Sequence, residues 1–395
     1  MDIGIEQMSV EGAELEFVSI FPDAEWFLTI IKEVKEMQKN NVPVTDVLIR
    51  ENSHPLFGIL KNFYPMIVKG KDGVVVKPSR KQILSFVESF FAKQDMKSVI
   101  EEKRSVDFSI LFYGKGNLRI NFSRDANGYT LNVRILDFVI PTIEDVKYPD
   151  LYTNFLKSLV KKTQIKVAGK DVEAGILQQG GLILHAGPTG SGKTTSVAAE
   201  LDYFAKNTSG LIITYENPIE YRMLMQPKIR QIELFTHLER DSIYYHFLRN
   251  SPMIGMISEI KTKNEFIEAL DLASRGHLVI TTIHANNALE GIYMFLSSVG
   301  REFTPMFLSS LRALVCHRLV LNQQSKIVPL YEILIPDDVI KKKIEDWEFK
   351  TLENFLYKDR QVSKSSFMSF QDSLEERVRL GLLTVPEKEK LKGGF

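Results

Sequence analysis

Apolar residues recur along this chain at two different periods, and the change from one to the other divides it. Between 24 and 34, Trp26, Phe27, Ile30, Ile31 and Val34 fall on one helical face, with Asp23 placed to cap the helix. Strands are predicted over 44–49 and 58–68, and Lys71-Asp72-Gly73 is a turn signal. From Ser79 onward, Ile83, Phe86, Val87, Phe90 and Phe91 return to helical spacing. Strand-like runs follow at 106–113, 118–123 and 129–138. They are separated by Gly114-Lys115-Gly116-Asn117 and Asp125-Ala126-Asn127-Gly128, both suited to hairpins. Two helices and a meander predict a smaller α+β N-terminal domain over 24–145, after a leader over 1–23. Pro141 and Pro149 punctuate its end.

Beyond about 181 the pattern changes. Apolar strands at 182–186, 211–215, 253–258 and 277–282 alternate with helical stretches. That alternation predicts a mostly parallel sheet covered by helices, an α/β domain over 150–335. The last third reads as mainly helical, with a strand pair near 318–322 and 327–335 and a helical C-terminal region over 336–395.

Composition narrows the function classes. The chain has 395 residues, enough for two or three domains, and 44% of them are apolar. Lys plus Arg and Asp plus Glu both number 50, so zero net charge gives no general support for a nucleic-acid partner. The single cysteine, Cys316, excludes an intramolecular disulfide and a multi-cysteine zinc site, and its apolar surroundings predict a core thiol. No apolar run reaches the ~20 residues of a membrane-spanning helix. Met1-Asp2-Ile3-Gly4 does not begin a signal peptide. The expectation is a cytoplasmic protein without direct membrane insertion, able to dock on a membrane complex from inside.

The strongest chemical signal is Gly187-Pro188-Thr189-Gly190-Ser191-Gly192-Lys193-Thr194, followed by Thr195. It fits G-x-x-x-x-G-K-[ST], which a chain of this length matches by accident roughly once in a hundred. An apolar strand precedes it and a helical run follows, as a phosphate-binding loop requires. The glycines let the backbone wrap a phosphate, and amides at a helix N-terminus favour an anion. Lys193 is expected on the β- and γ-phosphates of ATP, and the Thr194 hydroxyl on Mg²⁺.

Such a loop needs an acid to activate water. Glu216 and Glu220 in Tyr215-Glu216-Asn217-Pro218-Ile219-Glu220, and Glu259 after 253–258, all follow predicted strands. In a parallel sheet those ends converge on the ligand crevice. Read alone, each is equally well a solvated loop acid. His277 and His284 bracket the next strand, and both are expected to face the γ-phosphate end; alone, each reads as a structural histidine.

In order and spacing these segments resemble the hexameric secretion ATPases, the superfamily of type II and type IV secretion and type IV pilus motors. The loop at Gly187 resembles their Walker A motif, and Ile213-Thr214-Tyr215-Glu216-Asn217-Pro218-Ile219-Glu220-Tyr221 their acidic box. The segment 248–262 is similar to their Walker B region, and 276–286 to their histidine box. In the first domain, Thr45-Asp46-Val47-Leu48 and Leu118-Arg119-Ile120-Asn121-Phe122 also match, as does Arg134. The resemblance runs from about 24 to about 383.

The resemblance implies a RecA-like ATPase domain behind a PAS-like first domain, assembled as a homo-hexamer. It implies that Arg119 and Arg134 reach a neighbour's nucleotide; by themselves they read as surface charges. It further implies ATP and Mg as cofactors, and an inner-membrane pilus or secretion platform as partner, so that the protein is peripheral at the inner membrane. The absence of a four-cysteine knuckle and the segment from Phe367 to Leu374 favour the PilT-like pilus-retraction branch. Asn217, Met253, Ser258 and Lys261-Thr262 depart from the family pattern. They leave two alternatives open: a catalytically weak ring partner that modulates a paralogous motor, or a conjugation or type IV secretion motor.

Overall fold

The computed structural model describes residues 24–40, 42, 44–59, 62–70, 72–90, 105–112, 116–136, 140–167, 170–223, 226–234, 237–358 and 365–392. The leader expected over 1–23, the Asp23 cap, Lys71, Phe91, Tyr113 and the Gly114-Lys115 half of the turn expected at 114–117 lie outside them. The chain divides into two units, Met1–Val139 and Ile140–Phe395. The boundary precedes the expected one because Ile143 and Val146 are buried in the core of the second unit.

In the first unit, helix α1 (Glu25–Lys39) precedes β1 (Asp46–Arg50), β2 (Leu56–Ile59) and β3 (Asn62–Pro65). The predicted strand over 58–68 is thus a short hairpin, with Phe57 opposite Tyr64. Helix α2 (Arg80–Glu88) starts where its sequence says: the Ser79 hydroxyl accepts from the Gln82 amide and the Gln82 side chain returns the bond. Then follow β4 (Ser105–Phe112), β5 (Gly116–Asp125) and β6 (Gly128–Leu136). The described strands pair antiparallel in the order β3-β2-β1-β6-β5-β4.

Alternation sorts this sheet into two faces. Val47, Ile49, Leu118, Ile120, Phe122, Leu131, Val133 and Ile135 are buried in one core with the apolar faces of α1 and α2. Phe27 and Phe86 stack there at 4.4 Å between centroids. The other face carries Asp46, Arg134 and Arg119 in register across three strands.

The second unit opens with α3 (Asp150–Ser158) and a hairpin of β7 (Val160–Val167) and β8 (Lys170–Leu177), which the sequence pattern did not reveal. The main sheet is built from β9 (Gly181–Ala186), β10 (Ile212–Glu216), β11 (Ile229–Glu233), β12 (Ile254–Ile257), β13 (Leu278–Ile283), β14 (Leu311–Leu321), β15 (Ile327–Leu334) and β16 (Phe367–Met368). Its order is β11-β10-β12-β13-β9-β14-β15-β16. Strands β11 through β14 in that order run parallel, and β15 and β16 close the edge antiparallel. Every residue of β9, β10, β12 and β13 is buried, as expected for strands covered on both faces.

Helices cover both faces, giving three layers. On one side α4 (Lys193–Asn207) and α3 pack Val197, Leu201, Phe204, Tyr152 and Leu156 over Ile183, Met256, Ile280 and Val315. The opposite side is covered by α5 (Ile243–Asn250), α6 (Lys263–Ser274), α7 (Ala288–Val299) and α8 (Thr304–Ser310). The C-terminal region is no separate layer: α9 (Asp338–Glu345), α10 (Phe349–Tyr357) and α11 (Phe370–Arg379) bury Ile344, Leu352 and Leu374 in that same core. Helix α12 (Val385–Leu391) follows. The mixed α/β architecture with a small N-terminal sheet domain is the expected one. Cys316 is buried in β14.

One contact fixes how closely α5 approaches the sheet. A Cβ added to Gly255 would lie 1.8 Å from the Phe247 ring. Gly255→Ala is therefore expected to destabilise the second unit by about 1–3 kcal/mol, the usual cost of overpacking. Adding Phe247→Leu should recover part of that loss in urea unfolding. A single mutant as stable as the parent would contradict the packing described.

Candidate functional site

The loop at Gly187 leaves the C-terminal end of β9 and enters α4 through backbone that favours glycine: φ is +148° at Gly187, +78° at Gly190 and +92° at Gly192. A Cβ on Gly187 would meet the Ser191 hydroxyl at 2.6 Å and the His317 carbonyl at 2.8 Å. The Ser191 hydroxyl is buried with no hydrogen-bond partner. These features fit a cradle for phosphate oxygens. Lys193 Nζ curls back over it, donating to the carbonyls of Gly187 (2.6 Å) and Pro188 (3.0 Å). Burial lowers the Lys193 pKa to about 8, although Glu259 and Glu220 both pull it upward.

The carboxylates reach the loop because the strands are parallel. Register pairs Ile257 with Thr281 and Ile283 with Ala186, so Glu259, His284 and Gly187 leave the same edge of the sheet. His284 Nε2 lies 2.6 Å from Glu259 Oε1, an ion-pair approach without hydrogen-bond alignment. Lys261 Nζ lies 2.8 Å from Glu259 Oε2. Among the sequence candidates, Lys193, Glu259, Glu220 and His284 are thus brought together.

His277 is not among them. It immediately precedes β13 at the opposite edge, about 20 Å of extended chain from Ile283. Its Nδ1 lies 2.7 Å from the Pro252 carbonyl, and its ring packs edge-on against Phe247. The expectation that both histidines face the phosphate end is corrected by strand length: residues that bracket a strand lie at its two ends.

Glu216 is only 4% exposed. It accepts from Thr214 Oγ1 (2.6 Å) and Gln231 Nε2 (2.9 Å), and burial pushes its pKa up to about 7. Gln231 also bonds the Tyr221 carbonyl and the Met223 amide, so it organises the acidic box from the neighbouring strand. Tyr221 OH in turn lies 3.0 Å from Thr195 Oγ1. Thr194 is half-buried at the start of α4, and among the described residues no cluster of three metal-ligating side chains exists. Mg²⁺ would therefore depend on Thr194 together with the nucleotide's own phosphates.

A polar chain that the sequence did not announce runs beneath the loop. His317 Nε2 lies 2.8 Å from His185 Nδ1, and His185 Nε2 lies 3.2 Å from Glu200 Oε2. The Tyr148 hydroxyl donates to Glu200 Oε1 at 2.6 Å. Burial, helped by His185 and Lys193, keeps His317 well below the usual histidine range and so neutral. Alternation alone could have placed His185 on the α4 face of β9; it could not have found His317.

In the first unit, Arg119 and Arg134 are direct cross-strand partners, and Arg134 Nε bonds Asp46 Oδ1 at 3.0 Å. With Asn121 and Asn132 they line a shallow depression of 240 Å³ on the polar sheet face. Two adjacent guanidinium groups, with one carboxylate on the far side of Arg134, suit an anion.

The chain is similar to known proteins over most of its length. The family model described as Type II/IV secretion system protein matches residues 146–366, more than half of the chain. The type IV pilus ATPase PilU of Pseudomonas aeruginosa is 32% identical over 291 residues, covering 72% of this chain and 70% of PilU. An uncharacterised Escherichia coli protein, YggR, is 28% identical over 295 residues, 73% of this chain and 83% of its own. The crystal structure of the pilus retraction motor PilT with bound ADP superposes with a TM-score of 0.70 at 22% identity, covering 92% of this chain and 96% of that one.

The Lys193 environment sets a pH dependence. A phosphate ligand needs the ammonium form, which is lost as pH rises through about 8. Affinity for a fluorescent ATP analogue should be constant below that pH and fall above it, by up to about tenfold per unit. Glu259→Gln removes a charge that supports the ammonium, so the fall should begin at lower pH. A flat profile from pH 7 to 10 would refute this account of Lys193.

Proposed function

The chain belongs to the Type II/IV secretion system protein family, and from that premise we propose that it is a Mg-dependent ATPase working as a homo-hexameric motor, on the pilus-retraction side of the family. The observation that carries the reading is the convergence of Lys193, Glu259 and His284 at the strand ends beside the Gly187 cradle.

In this reading the amides from Gly190 to Lys193 and the Lys193 ammonium hold the β- and γ-phosphates, and the Thr194 hydroxyl holds Mg²⁺. Bound Mg²⁺ would supply charge neutralisation on the phosphates. Glu259 takes the proton of the attacking water. His284, at its other face, is placed to sense the γ-phosphate end. Glu216 is less suited to act as the base, because its carboxyl is buried between Thr214 and Gln231. Arg119 and Arg134 are proposed to act on the nucleotide of a neighbouring copy, where a cation would stabilise transition-state charge.

Among the described residues no helix is long and apolar enough to cross a membrane. We place the protein in the cytoplasm, peripheral at the inner membrane on a pilus or secretion platform. The relatives' pilus roles support this placement. One observation favours a second reading: Lys261 Nζ lies 2.8 Å from Glu259 Oε2, an ion pair that competes with an attacking water for the carboxylate. That is what a catalytically weak ring partner needs.

Lys193→Ala is expected to abolish nucleotide binding or turnover in a protein that remains folded. Glu259→Gln should keep binding and lose at least about a hundredfold in turnover. Unchanged affinity and turnover in Lys193→Ala would end the ATPase reading. Tight binding by the wild-type chain without turnover would establish the ring partner instead.

Assembly has its own measurement. Arg119→Ala or Arg134→Ala should lower turnover without weakening binding. Mixing either with Lys193→Ala should restore part of the activity, since each copy supplies what the other lacks. A monomer by light scattering, with no complementation at any ratio, would refute the hexamer.

A further inference from the structure

The segment carrying Glu259 lacks the arginine–aspartate pair that its family resemblance leads one to expect, with Lys261 and Thr262 in those places. It is nevertheless tethered at both ends. Its first half is clamped between strands: the Ser258 amide donates to the Tyr215 carbonyl at 2.9 Å, and Thr282 Oγ1 donates to the Ser258 carbonyl at 2.6 Å. The Ile260 amide donates to the Thr282 carbonyl at 3.2 Å.

The second half wraps around one carboxylate. Glu265 Oε2 accepts from the amides of Lys261 (2.6 Å) and Thr262 (2.9 Å), while Thr262 caps α6 by accepting from the Glu265 amide. Across from it stands Arg240, in the one-turn helix before α5. Its Nε donates to Glu265 Oε1, and its Nη2 donates to the backbone carbonyl of Glu259 itself. A guanidinium presents donors in a fixed planar fork, so it can hold a carboxylate and a carbonyl at a set separation; an ammonium cannot.

We propose that Arg240 is a positioning residue for Glu259: through its fork to Glu265 and to the Glu259 carbonyl it sets where the Glu259 carboxylate stands relative to Lys193 and His284. The inference rests on the ATPase reading for its catalytic consequence, but the tether itself does not. The Glu259 side chain departs from a backbone unit pinned on one side by β10 and β13 and on the other by Arg240. Releasing the second pin lets the 259–262 stretch rotate about the first. A displacement near 1 Å at a reacting group costs about a hundredfold in rate. The phosphate cradle, built from Gly187–Thr194, shares no hydrogen bond with Arg240 among those described, so nucleotide affinity should be spared.

The test uses the full chain and four variants: Arg240→Gln, Arg240→Lys, Glu265→Gln and the Arg240→Gln/Glu265→Gln double. Amide hydrogen exchange reads the tether directly. Arg240→Gln should speed exchange at Lys261 and Thr262 while leaving β9, β12 and β13 protected. Binding of a fluorescent ATP analogue should stay within about twofold, and kcat should fall about a hundredfold with KM little changed. Arg240→Lys should recover only part of the loss, since it keeps one contact of two. The double variant should be no worse than the poorer single, because both members act as one unit.

Unchanged exchange at 261–262 in Arg240→Gln would overturn the proposal. So would faster exchange throughout the second unit with weakened nucleotide binding, which is a merely structural role. Losses that multiply in the double variant would also refute it. If the wild-type chain binds ATP without turning it over, the catalytic reading falls while the exchange result still decides whether Arg240 holds the loop.

Discussion

Four fully or nearly fully buried polar side chains, His317, His185, Glu200 and Tyr148, form the constraint on which the second unit depends. They come from β14, β9, α4 and the segment before α3. A carboxylate and two imidazoles removed from water cost several kcal/mol unless each bond is made. The geometry that makes all three bonds sets the distance between the strand that enters the phosphate cradle and the helix that leaves it. Two neighbouring anchors tie the same region down. Tyr331 OH donates to the Val146 carbonyl at 2.6 Å, and the buried Arg377 donates to the carbonyls of Pro329 and Lys147. The cradle is therefore mounted on a frame that reaches from residue 146 to α11.

Above that frame, parallel strands do the assembling. Residues far apart in sequence leave one sheet edge together because each strand runs the same way. The same rule removes His277, which is tied to the other edge by the Pro252 carbonyl and Phe247. Burial then differentiates the acids. Glu216, enclosed by Thr214 and Gln231, is pushed up to about 7, whereas Glu259 stands between Lys261 and His284.

Departures from the family boxes are absorbed locally. Thr262 takes the N-cap of α6, Glu265 collects the freed amides, and Arg240 closes the loop from the other side. Met253 has its side chain against Gly210, where a Cβ would lie 2.5 Å away. It therefore packs at the strand's entry rather than facing the cradle. The polar stretch of the first unit's outer sheet face follows from alternation, with Arg119 opposite Arg134 and Arg134 held by Asp46.

The sequence by itself determined what is contiguous. The cradle from Gly187 to Thr194 is a single run whose glycines take the positive φ values its chemistry requires. The Ser79 cap, the Asp125–Gly128 turn and the buried strands at 182–186 and 277–282 are likewise local: each is specified by neighbours in the chain. The parallel pattern alone put the strand ends before Glu259 and His284 on one side of the sheet, whereas the strand order came from the tertiary structure. Tertiary structure alone decided the rest. The β7–β8 hairpin has no strong period to announce it, and Leu352 and Leu374 join the main core only because α10 and α11 fold back onto it. The His185–His317 contact joins residues 132 positions apart, and Arg240 meets Glu265 across 25. Such pairs carry no periodic trace, since a hydrogen bond depends on where two backbones end up and not on the spacing that brought them there.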